Sequence, residues 1–372
     1  MKILALYPGL NPVFDEVIYA LTPLAAHGVS VRVIASRLSA LKSAVAGAEY
    51  EQFQNLEIFR VLPTLHDMSH NLDPSMERIL QLVDEFQPDL LLVNSFHCQR
   101  LARRIRRHRA IPTVMRLESA DPAILVQRRY SLGIAPLSRL LGTLRWRLAA
   151  AEVDAMMTND PTDLPRLSRL GGNRGNVYYA GHCAQQPAGV TLSTERNRGE
   201  MIYIGSLIRH KNCDQWLTSV PAILEQTPVE QFTIIGRGAS QYVVDRLKAR
   251  YGQRISYLPG VTREEALNRL SAAFFAYTES SSGWGFLCDA WSTGTPVLCP
   301  QSTFKIVPGW TGMMPQSTTA LVRTVQRLYD DTDYVETLRL GGYTRFHAEH
   351  SAAVVSKQYL QIFRDTYTQA IA

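Results

Sequence analysis

The sequence lacks any apolar run of about 18 residues, the length that a membrane-spanning helix requires, so no transmembrane helix is predicted. It has only five cysteines, which are scattered and lack the spacing of a metal site. We therefore expect free thiols and a cytoplasmic protein. A charged content of 19% and a hydrophobic content of 46% are typical of a globular protein. Residues 1–8 are β-like and end in a turn, which predicts a first buried strand and not a signal peptide.

Positive charge is concentrated in one part of the chain. Residues 101–150 contain eleven arginines and only two acidic residues, and the arginines alternate with Leu, Ile and Trp146. Basic residues mixed with apolar ones can bind an anionic membrane surface, so residues 100–147 predict such a partner. The alternative is a solvated helix face. No recognised nucleic-acid module accompanies the charge, and nucleic acid is therefore not expected as a partner.

Patterns of buried strands and helices alternate along the 372 residues, which are enough for two domains. The first half predicts strands at 2–7, 30–35, 57–62, 89–94, 112–117, 154–158 and 176–180, with helices at 14–27, 74–86 and 97–109. After a polar stretch the alternation restarts, with strands at 201–205, 232–236, 255–258, 273–277 and 296–299. This order predicts an α/β fold with two doubly wound sheets. The predicted domains are 1–185 and 200–350, joined by a linker at 186–199 and followed by an amphipathic helix within 351–372.

The most informative segment is residues 279–297. A Gly-rich turn, Gly283-Trp284-Gly285, runs into a predicted helix that carries Asp289. A helix N-terminus behind small residues offers N–H groups to phosphate, and an acid further along can accept hydrogen bonds from sugar hydroxyls. Phosphate and polyol recognised side by side indicate a nucleotide-sugar site. The alternative is an ordinary Gly-rich connection.

This segment resembles the donor-site signature of retaining glycosyltransferases of family 4, or group 1 type, which have the GT-B fold of two facing Rossmann-like domains. Residues 289–290 (Asp-Ala) and 294–297 (Gly-Thr-Pro-Val) match the second half of that signature. The resemblance implies that Asp289 holds the nucleotide ribose and that the last helix crosses back to the N-terminal domain. The first half departs, because Ser281 replaces the expected acid and Glu279 lies two positions too early.

The turn after the first strand of the second domain carries another part of the resemblance. Lys211 stands where the family has a lysine that clamps the donor diphosphate, whereas Ser206 stands where the family has an arginine. Arg209 could supply the missing charge. The resemblance implies no metal and no cofactor apart from the nucleotide-diphosphate sugar as co-substrate, so cations must neutralise the leaving diphosphate. An exposed lysine near a helix is the alternative, although a cation is unfavourable at a helix N-terminus.

Further donor contacts implied by the resemblance lie in the other turns. The turn 236–238 (Gly-Arg-Gly) would line the nucleotide pocket, and the backbone of Val261 would contact the base. A plain turn explains the first about as well, and Thr262 with Glu265 forms a simple helix capping box. The predicted donor-binding residues are Gly9, Ser206, Arg209, Lys211, Gly236, Gly238, Val261, Ser281, Gly283, Trp284, Gly285, Phe286 and Asp289.

In the first domain, Gly9 could let the backbone approach the transferred sugar or phosphate; a spare turn glycine is the alternative. The family often places a histidine against the donor sugar after the strand at 112–117, and this chain has Glu118 there. Glu118 and Lys211 are therefore the predicted catalytic residues. Arg116 and His97 are rival candidates for the first-domain role.

The resemblance implies a retaining, metal-independent glycosyltransferase of the hexosyltransferase type. It would transfer a sugar from a nucleotide-diphosphate sugar to a hydroxyl acceptor, which would be a glycan or a lipid-linked molecule. If the arginine-rich segment binds lipid, the protein would act on the cytoplasmic face of the membrane. Ser206 and Ser281 also fit a non-catalytic partner or chaperone subunit that keeps the fold. A sugar epimerase or phosphorylase on the same fold is a further alternative.

Overall fold

The computed structural model describes residues 1–7, 9–11, 15–37, 49–63, 73–95, 98–117, 140, 143–144, 147–171, 176–184, 186, 192, 196–280 and 283–372. The chain divides into two compact units. The first contains Met1–Gly181 together with Val355–Ala372, and the second contains His182–Val354.

One eight-stranded sheet forms the centre of the first unit. Its strands are β1 (Lys2–Leu6), β2 (Ser30–Ser36), β3 (Tyr50–Phe53), β4 (Leu56–Leu62), β5 (Leu90–Asn94), β6 (Thr113–Leu117), β7 (Ala155–Thr158) and β8 (Asn176–Tyr179). Their order is β3-β4-β2-β1-β5-β6-β7-β8, and all neighbours are parallel except β3 and β4. The described helices are α1 (Glu16–Leu21), α2 (Asp73–Phe86), α3 (Gln99–His108) and α4 (Leu164–Gly171).

The seven strands predicted for this half are confirmed to within about two residues. The central strand β5 is buried along its whole length, as expected of a parallel strand covered on both faces. The prediction missed β3, which pairs antiparallel with β4 after a turn at Gln54, whose φ is 52°. β3 lies at the sheet edge and none of its residues is fully buried, so its sequence gives no buried-strand signal.

The second unit is built on a five-stranded, entirely parallel sheet. Its strands are β9 (Asn197–Ile204), β10 (Gln231–Ile235), β11 (Ile255–Leu258), β12 (Ala273–Tyr277) and β13 (Val297–Leu298), in the order β11-β10-β9-β12-β13. Its helices are α5 (Trp216–Gln226), α6 (Gln241–Tyr251), α7 (Arg263–Ala272), α8 (Trp284–Ser292), α9 (Thr318–Asp330) and α10 (Thr332–Arg345). The five predicted strands are confirmed, and β9 begins at Asn197, inside the polar stretch 186–199.

The last helix, α11 (Ala352–Ile371), belongs to the first unit from Val355 onward. Arg116 at the end of β6 donates from Nε to the hydroxyl of Tyr359 on α11, at 2.9 Å. The backbone N–H of Gly181 donates to the side chain of Gln358 at 2.8 Å. These bonds hold the C-terminal helix to the N-terminal unit, and the predicted α/β fold with two doubly wound sheets is confirmed.

Within the described ranges, no helix combines the length and the apolar character needed to cross a membrane. All five cysteines are buried, and none of them forms a disulfide bond.

Candidate functional site

Strands β9 and β12 flank the point at which the strand order of the second sheet reverses. In open parallel sheets, ligands bind beyond the carboxyl ends of the strands at such a point. β9 is followed by residues 205–212, which include Lys211, and β12 is followed by the connection to α8. The fold therefore brings the two segments predicted to bind the diphosphate to the same edge of one sheet.

A hydrogen bond joins these two segments. The side-chain amide of Asn212 donates to the carbonyl oxygen of Glu279 at 3.1 Å, and Asn212 itself has a left-handed backbone with φ of 56°. Lys211 precedes it, and a Cβ built on Gly283 would lie 3.6 Å from Lys211 Nζ. Gly283 is the N-cap residue of α8. The ammonium group therefore lies beside the helix end that presents its first N–H groups.

Burial lowers the pKa of Lys211 because the charged form loses water contacts. A cation at a helix N-terminus is also unfavourable with respect to the helix dipole. Both costs would be offset by an anion bound between the lysine and the helix. The position of Lys211 is therefore one that an anionic ligand would favour.

Aromatic packing fixes the orientation of α8. The ring of Phe286 packs against Tyr203 of β9, with 5.6 Å between ring centroids. The indole N–H of Trp291 donates to the carbonyl oxygen of Thr311 at 2.7 Å. Both contacts lie on the buried side of the helix, and they hold its amino end at the edge of the sheet.

A half-buried arginine holds the other end of α8. Arg196 donates to the carbonyl oxygens of Thr293 at 2.9 Å and Gly294 at 2.8 Å, and also to the carbonyl of Ala273 at 3.0 Å. A cation at a helix C-terminus stabilises the last carbonyl groups. Burial lowers the pKa of Arg196 to about 9, which leaves the guanidinium charged at neutral pH. Arg196 therefore positions α8 from the end opposite to the candidate site.

Two further basic side chains contact the first turn of α8. A Cβ built on Gly285 would lie 3.7 Å from His182 Nε2. The ammonium group of Lys305 lies 5.1 Å from the ring centroid of Trp284, and only 7% of Lys305 is exposed. Together with Lys211, three basic side chains from three separate segments therefore surround this turn, and the electrostatic environment suits an anion.

Asp289, the predicted ribose ligand, forms an ion pair with Arg263. Arg263 Nη2 lies 2.7 Å from Asp289 Oδ1, and Nη1 lies 3.2 Å from Oδ2. Arg263 is the first residue of α7, which Thr262 caps by accepting a hydrogen bond from the N–H of Glu265 at 3.1 Å. The predicted cap is thus confirmed on the threonine side. The two-point pairing holds the Asp289 carboxylate in one plane while leaving lone pairs on both oxygens.

The two glycines of the turn after β10 are required by packing between turns. A Cβ on Gly236 would overlap the carbonyl oxygen of Gly205, and a Cβ on Gly238 would overlap that of Leu207. Their φ values are 151° and 154°, which favour glycine. Leu207 N–H also donates to the carbonyl of Arg237 at 2.8 Å. The turns after β9 and β10 therefore form one continuous backbone surface at the sheet edge.

The remaining predicted donor contacts of the second unit are less sharply placed. Ser206 is half-buried, and its carbonyl oxygen accepts a hydrogen bond from the hydroxyl of Tyr203 at 3.1 Å. Arg209 is exposed at the start of the 3₁₀ turn that contains Lys211. Val261 is half-buried against the apolar core beside α8.

In the first unit, Gly9 is buried in the turn after β1. Arg116 is engaged inside the unit, because Nη1 donates to Asn94 Oδ1 at 2.9 Å and the guanidinium pairs with Glu16. With Tyr359 as a third partner, this arginine joins β5, β6, α1 and the last helix, so its observed role is structural. Three predicted site residues lie outside the described residues: His97, Glu118 and Ser281.

The arginine-rich helix α3 is partly neutralised by acids near β7. Arg103 Nη2 lies 2.5 Å from a carboxylate oxygen of Glu152, and Arg106 Nη2 lies 3.8 Å from Asp154. A cavity of about 490 Å³ opens here, lined by Gln99, Ala102, Arg103, Arg106, Arg107, Thr113, Met115, Glu152 and Val153. Thr113 begins β6, so the cavity lies at the amino edge of that sheet, opposite to the edge at which ligands are expected.

Three leucines in the same part of the chain are exposed although they are apolar. The exposed fractions are 58% for Leu140, 48% for Leu144 and 65% for Leu148. The three leucines are four residues apart in the sequence, the spacing of neighbours on one face of a helix. Arg147, also exposed, lies next to them.

Several residues of the candidate site were not predicted. Arg263 reaches Asp289 from 26 positions away, and His182 and Lys305 approach α8 from two other segments of the chain. No periodicity or spacing marks such pairs. A basic residue directly after the Thr262 cap was the one signal that could have drawn attention to Arg263. Among the described residues, no cluster of three or more His, Cys, Asp or Glu side chains could hold a metal ion.

Comparison with known proteins shows which family part of this chain resembles. Residues 198–331 match the family model described as Glycosyl transferases group 1. A search of curated protein sequences finds no significant match.

Solved structures with similar folds cover nearly the whole chain. Sucrose-phosphate synthase from Thermosynechococcus elongatus has a TM-score of 0.73 at 18% identity, with 99% of each chain covered. HepE from Anabaena, in complex with UDP, has a TM-score of 0.67 at 16% identity, with 98% of this chain and 100% of that chain covered. A UDP-forming trehalose-phosphate synthase from Burkholderia vietnamiensis has a TM-score of 0.71 at 11% identity, with 98% and 96% covered. The family match over 198–331 and the fold over the whole chain confirm the resemblance to GT-B glycosyltransferases of the group 1 type and support a glycosyltransferase.

Proposed function

We propose that the protein transfers a sugar from a nucleotide-diphosphate sugar to a hydroxyl acceptor, with retention of the anomeric configuration and without a metal ion. One observation carries the proposal: Lys211 Nζ lies beside Gly283 at the start of α8, within the segment that matches the group 1 model. A cation and a helix N-terminus placed together are a favourable arrangement for a diphosphate.

In this proposal the diphosphate lies over the first turn of α8. The N–H groups of residues 283–286 donate to phosphate oxygens, and Lys211 neutralises part of the charge. These groups are fixed before the reaction, because α8 is held by its core contacts and by Arg196. Preorganised donors stabilise the charge that develops on the leaving group more effectively than water does.

Asp289 is proposed to hold the nucleotide ribose. Its carboxylate is fixed by Arg263 and is 15% exposed, so it can still accept hydrogen bonds. Two adjacent hydroxyl groups match two carboxylate oxygens in one plane. Val261 and the turn 236–238 follow neighbouring strands at the same edge, where the base would lie.

The chemical step is proposed as attack on the face of the sugar from which the diphosphate leaves. The acceptor oxygen forms a bond to the anomeric carbon while the bond from that carbon to the diphosphate oxygen breaks. The electron pair of the broken bond stays on the diphosphate, which also takes the proton of the acceptor hydroxyl. The protein groups position the reactants and stabilise charge. Glu118 is kept as a candidate contact to the transferred sugar.

The choice of donor is guided by structural relatives. HepE has been solved with UDP, with UDP and glucose, and with UDP-glucose, and the pneumococcal O-GlcNAc transferase GtfA with UDP and GlcNAc. UDP-glucose and UDP-GlcNAc are therefore the first donors to test. GDP sugars complete the panel, because the described residues of the site do not distinguish the two bases.

The test is release of free nucleotide from this panel by the purified protein, together with calorimetric binding of UDP and GDP. Release of UDP or GDP with a hydroxyl acceptor, and an α-configured product from an α-configured donor, are the expected results. Nucleotide binding without release of nucleotide from any donor would contradict the catalytic proposal and favour a non-catalytic partner subunit. The absence of both binding and release would do the same. Release of an inverted product would contradict retention alone.

We also propose that an anionic membrane surface lies near the acceptor. Leu140, Leu144 and Leu148 are exposed, as are Arg147 and several arginines of α3. Apolar insertion and charge attraction then act together, and each arginine near an anionic surface contributes about 1 kcal/mol. A lipid-linked or membrane-proximal acceptor on the cytoplasmic face follows from this arrangement.

A further inference from the structure

His182, the first residue of the second unit, lies against the first turn of α8. A Cβ built on Gly285, the second residue of that helix, would lie 3.7 Å from His182 Nε2. A Cβ at position 285 would thus be in ordinary van der Waals contact with the ring. The absence of a side chain there leaves the imidazole edge next to the helix turn whose N–H groups are proposed to bind the diphosphate.

Two hydrogen bonds fix the backbone at and next to His182. His350 Nδ1–H donates to the carbonyl oxygen of His182 at 3.0 Å, and Ala184 N–H donates to the carbonyl oxygen of His350 at 3.1 Å. The His350 ring is fully buried and lies 4.9 Å from Trp284 and 5.8 Å from Trp291, both on α8. The segment that carries His182 is therefore attached to the same helix that it faces.

The opposite side of this turn is occupied by Lys211, whose Nζ would lie 3.6 Å from a Cβ on Gly283. A single ammonium group balances only part of the charge of a diphosphate. Lys305 Nζ lies over the ring of Trp284, Ser206 adds no cation, and Arg209 is exposed to solvent. A second donor on the other side of the helix end would complete the charge balance, and an imidazole N–H supplies a hydrogen bond in its neutral and in its protonated form.

We propose that His182 Nε2–H donates a hydrogen bond to the donor diphosphate, so that His182 and Lys211 bind it from the two sides of the α8 N-terminus. This assignment rests on the proposed function, because it names a further ligand-contacting residue of the same site. His182 is a charge-stabilising donor here and transfers no proton.

The test compares His182→Ala, His182→Phe and His182→Gln with wild type by calorimetry, using UDP, UMP, GDP and GMP as probes. Loss of one hydrogen bond to a charged phosphate weakens affinity by about 10-fold or more. The alanine and phenylalanine variants should bind the nucleoside diphosphate that wild type binds with an affinity lower by this factor. Their affinity for the monophosphate should fall less. The glutamine variant, which keeps an N–H donor, should recover most of it. His27→Ala, an exposed histidine in the first unit, is the matched control.

Each outcome decides a separate point. If wild type binds a diphosphate and the His182 variants bind it equally well, the assignment of His182 is wrong while the proposed function stands. Equal losses for diphosphate and monophosphate in all three variants would show a structural role and also overturn it. If wild type binds neither UDP nor GDP, the proposed function fails and the assignment fails with it. The phenylalanine variant keeps a planar ring, so it tests the donor even if the alanine variant does not fold.

Discussion

Arg263 and Asp289 form a two-point ion pair across the candidate ribose site, with 2.7 Å between Nη2 and Oδ1 and 3.2 Å between Nη1 and Oδ2. The pair joins the first turn of α7 to the middle of α8. Both side chains are mostly buried, with exposed fractions of 20% and 15%. Because the planar guanidinium fixes the plane of the carboxylate, the pair is expected to orient Asp289 toward its ligand.

The Arg263→Lys variant should weaken nucleotide binding although it keeps the charge. A lysine offers one point charge and cannot hold both carboxylate oxygens, so the orientation of Asp289 is lost. We expect about a 5-fold to 20-fold rise in the Kd for UDP or GDP, consistent with one disturbed hydrogen bond. The loss should shrink for the 2′-deoxy nucleotide. Arg269→Lys, which alters an exposed ion pair on the same helix, is the control. An equal rise in Kd for this control would show that Arg263 has no specific role in orienting Asp289.

Loss of Arg196 should destabilise the second unit. Arg196→Met keeps the aliphatic chain but removes the donors to the carbonyls of Thr293, Gly294 and Ala273. Buried acceptors without a donor are costly, and we expect a fall of about 3 kcal/mol in the free energy of unfolding. Urea denaturation measures it, with the exposed Arg246→Met as control. A loss no larger than that of the control would contradict the helix-holding role.

Stability should fall in mild acid because of His350. Burial, the largest cause, lowers its pKa to about 4 from 6.5, while Glu349 raises it and Arg345 lowers it further. Between pH 4 and 6.5 the unfolded state therefore binds more protons than the folded state. The contribution of neutral His350 to the free energy of unfolding is complete above pH 6.5 and is lost as the pH falls toward 4. The difference between the two pKa values corresponds to a contribution on the order of 3 kcal/mol to the free energy of unfolding.

The His350→Phe variant provides the measurement. Chemical denaturation between pH 4 and 7 should show a shallower pH dependence for His350→Phe than for wild type. His27→Gln should keep the wild-type slope. Identical slopes in wild type and His350→Phe would show that this histidine does not contribute.

The strands of both sheets could be predicted because parallel buried strands are apolar along their whole length, as in β5. The edge strand β3 escaped prediction because none of its side chains is fully buried. Turn residues near the site were recognised through glycine, and the structure gives the physical reason for Gly236 and Gly238 in the overlap that a Cβ would cause.

Contacts between distant segments could not be predicted. The approach of His182 to Gly285 and the pairing of Arg263 with Asp289 depend on how strands are ordered in the sheet, and one sequence does not encode that order in any local pattern. Lys211 could be predicted from the resemblance to the family's motif. Its position beside Gly283 follows from the switch point between β9 and β12 and from the bond of Asn212 to Glu279.

Membrane binding is expected to depend on the exposed leucines. A double variant, Leu144→Asp with Leu148→Asp, should lose binding to phosphatidylglycerol vesicles because acidic side chains oppose both insertion and charge attraction. Ile371→Asp changes an equally exposed apolar residue in the last helix and should bind as wild type does. Co-sedimentation at low and high salt measures this, with weaker binding at high salt. Wild-type protein that stays in the supernatant at low salt would rule out the membrane surface.

The most direct test of the account is the turnover of Lys211→Ala. Loss of a preorganised group that stabilises the leaving diphosphate should lower the turnover with a nucleotide sugar by about 100-fold or more. The melting temperature should change little, because Lys211 is half-buried and its charged form already loses water contacts in the absence of a ligand, as its lowered pKa indicates. Lys248→Ala, an exposed lysine on α6, should retain wild-type turnover. Turnover of Lys211→Ala equal to that of wild type, in a folded protein, would contradict the proposed diphosphate site.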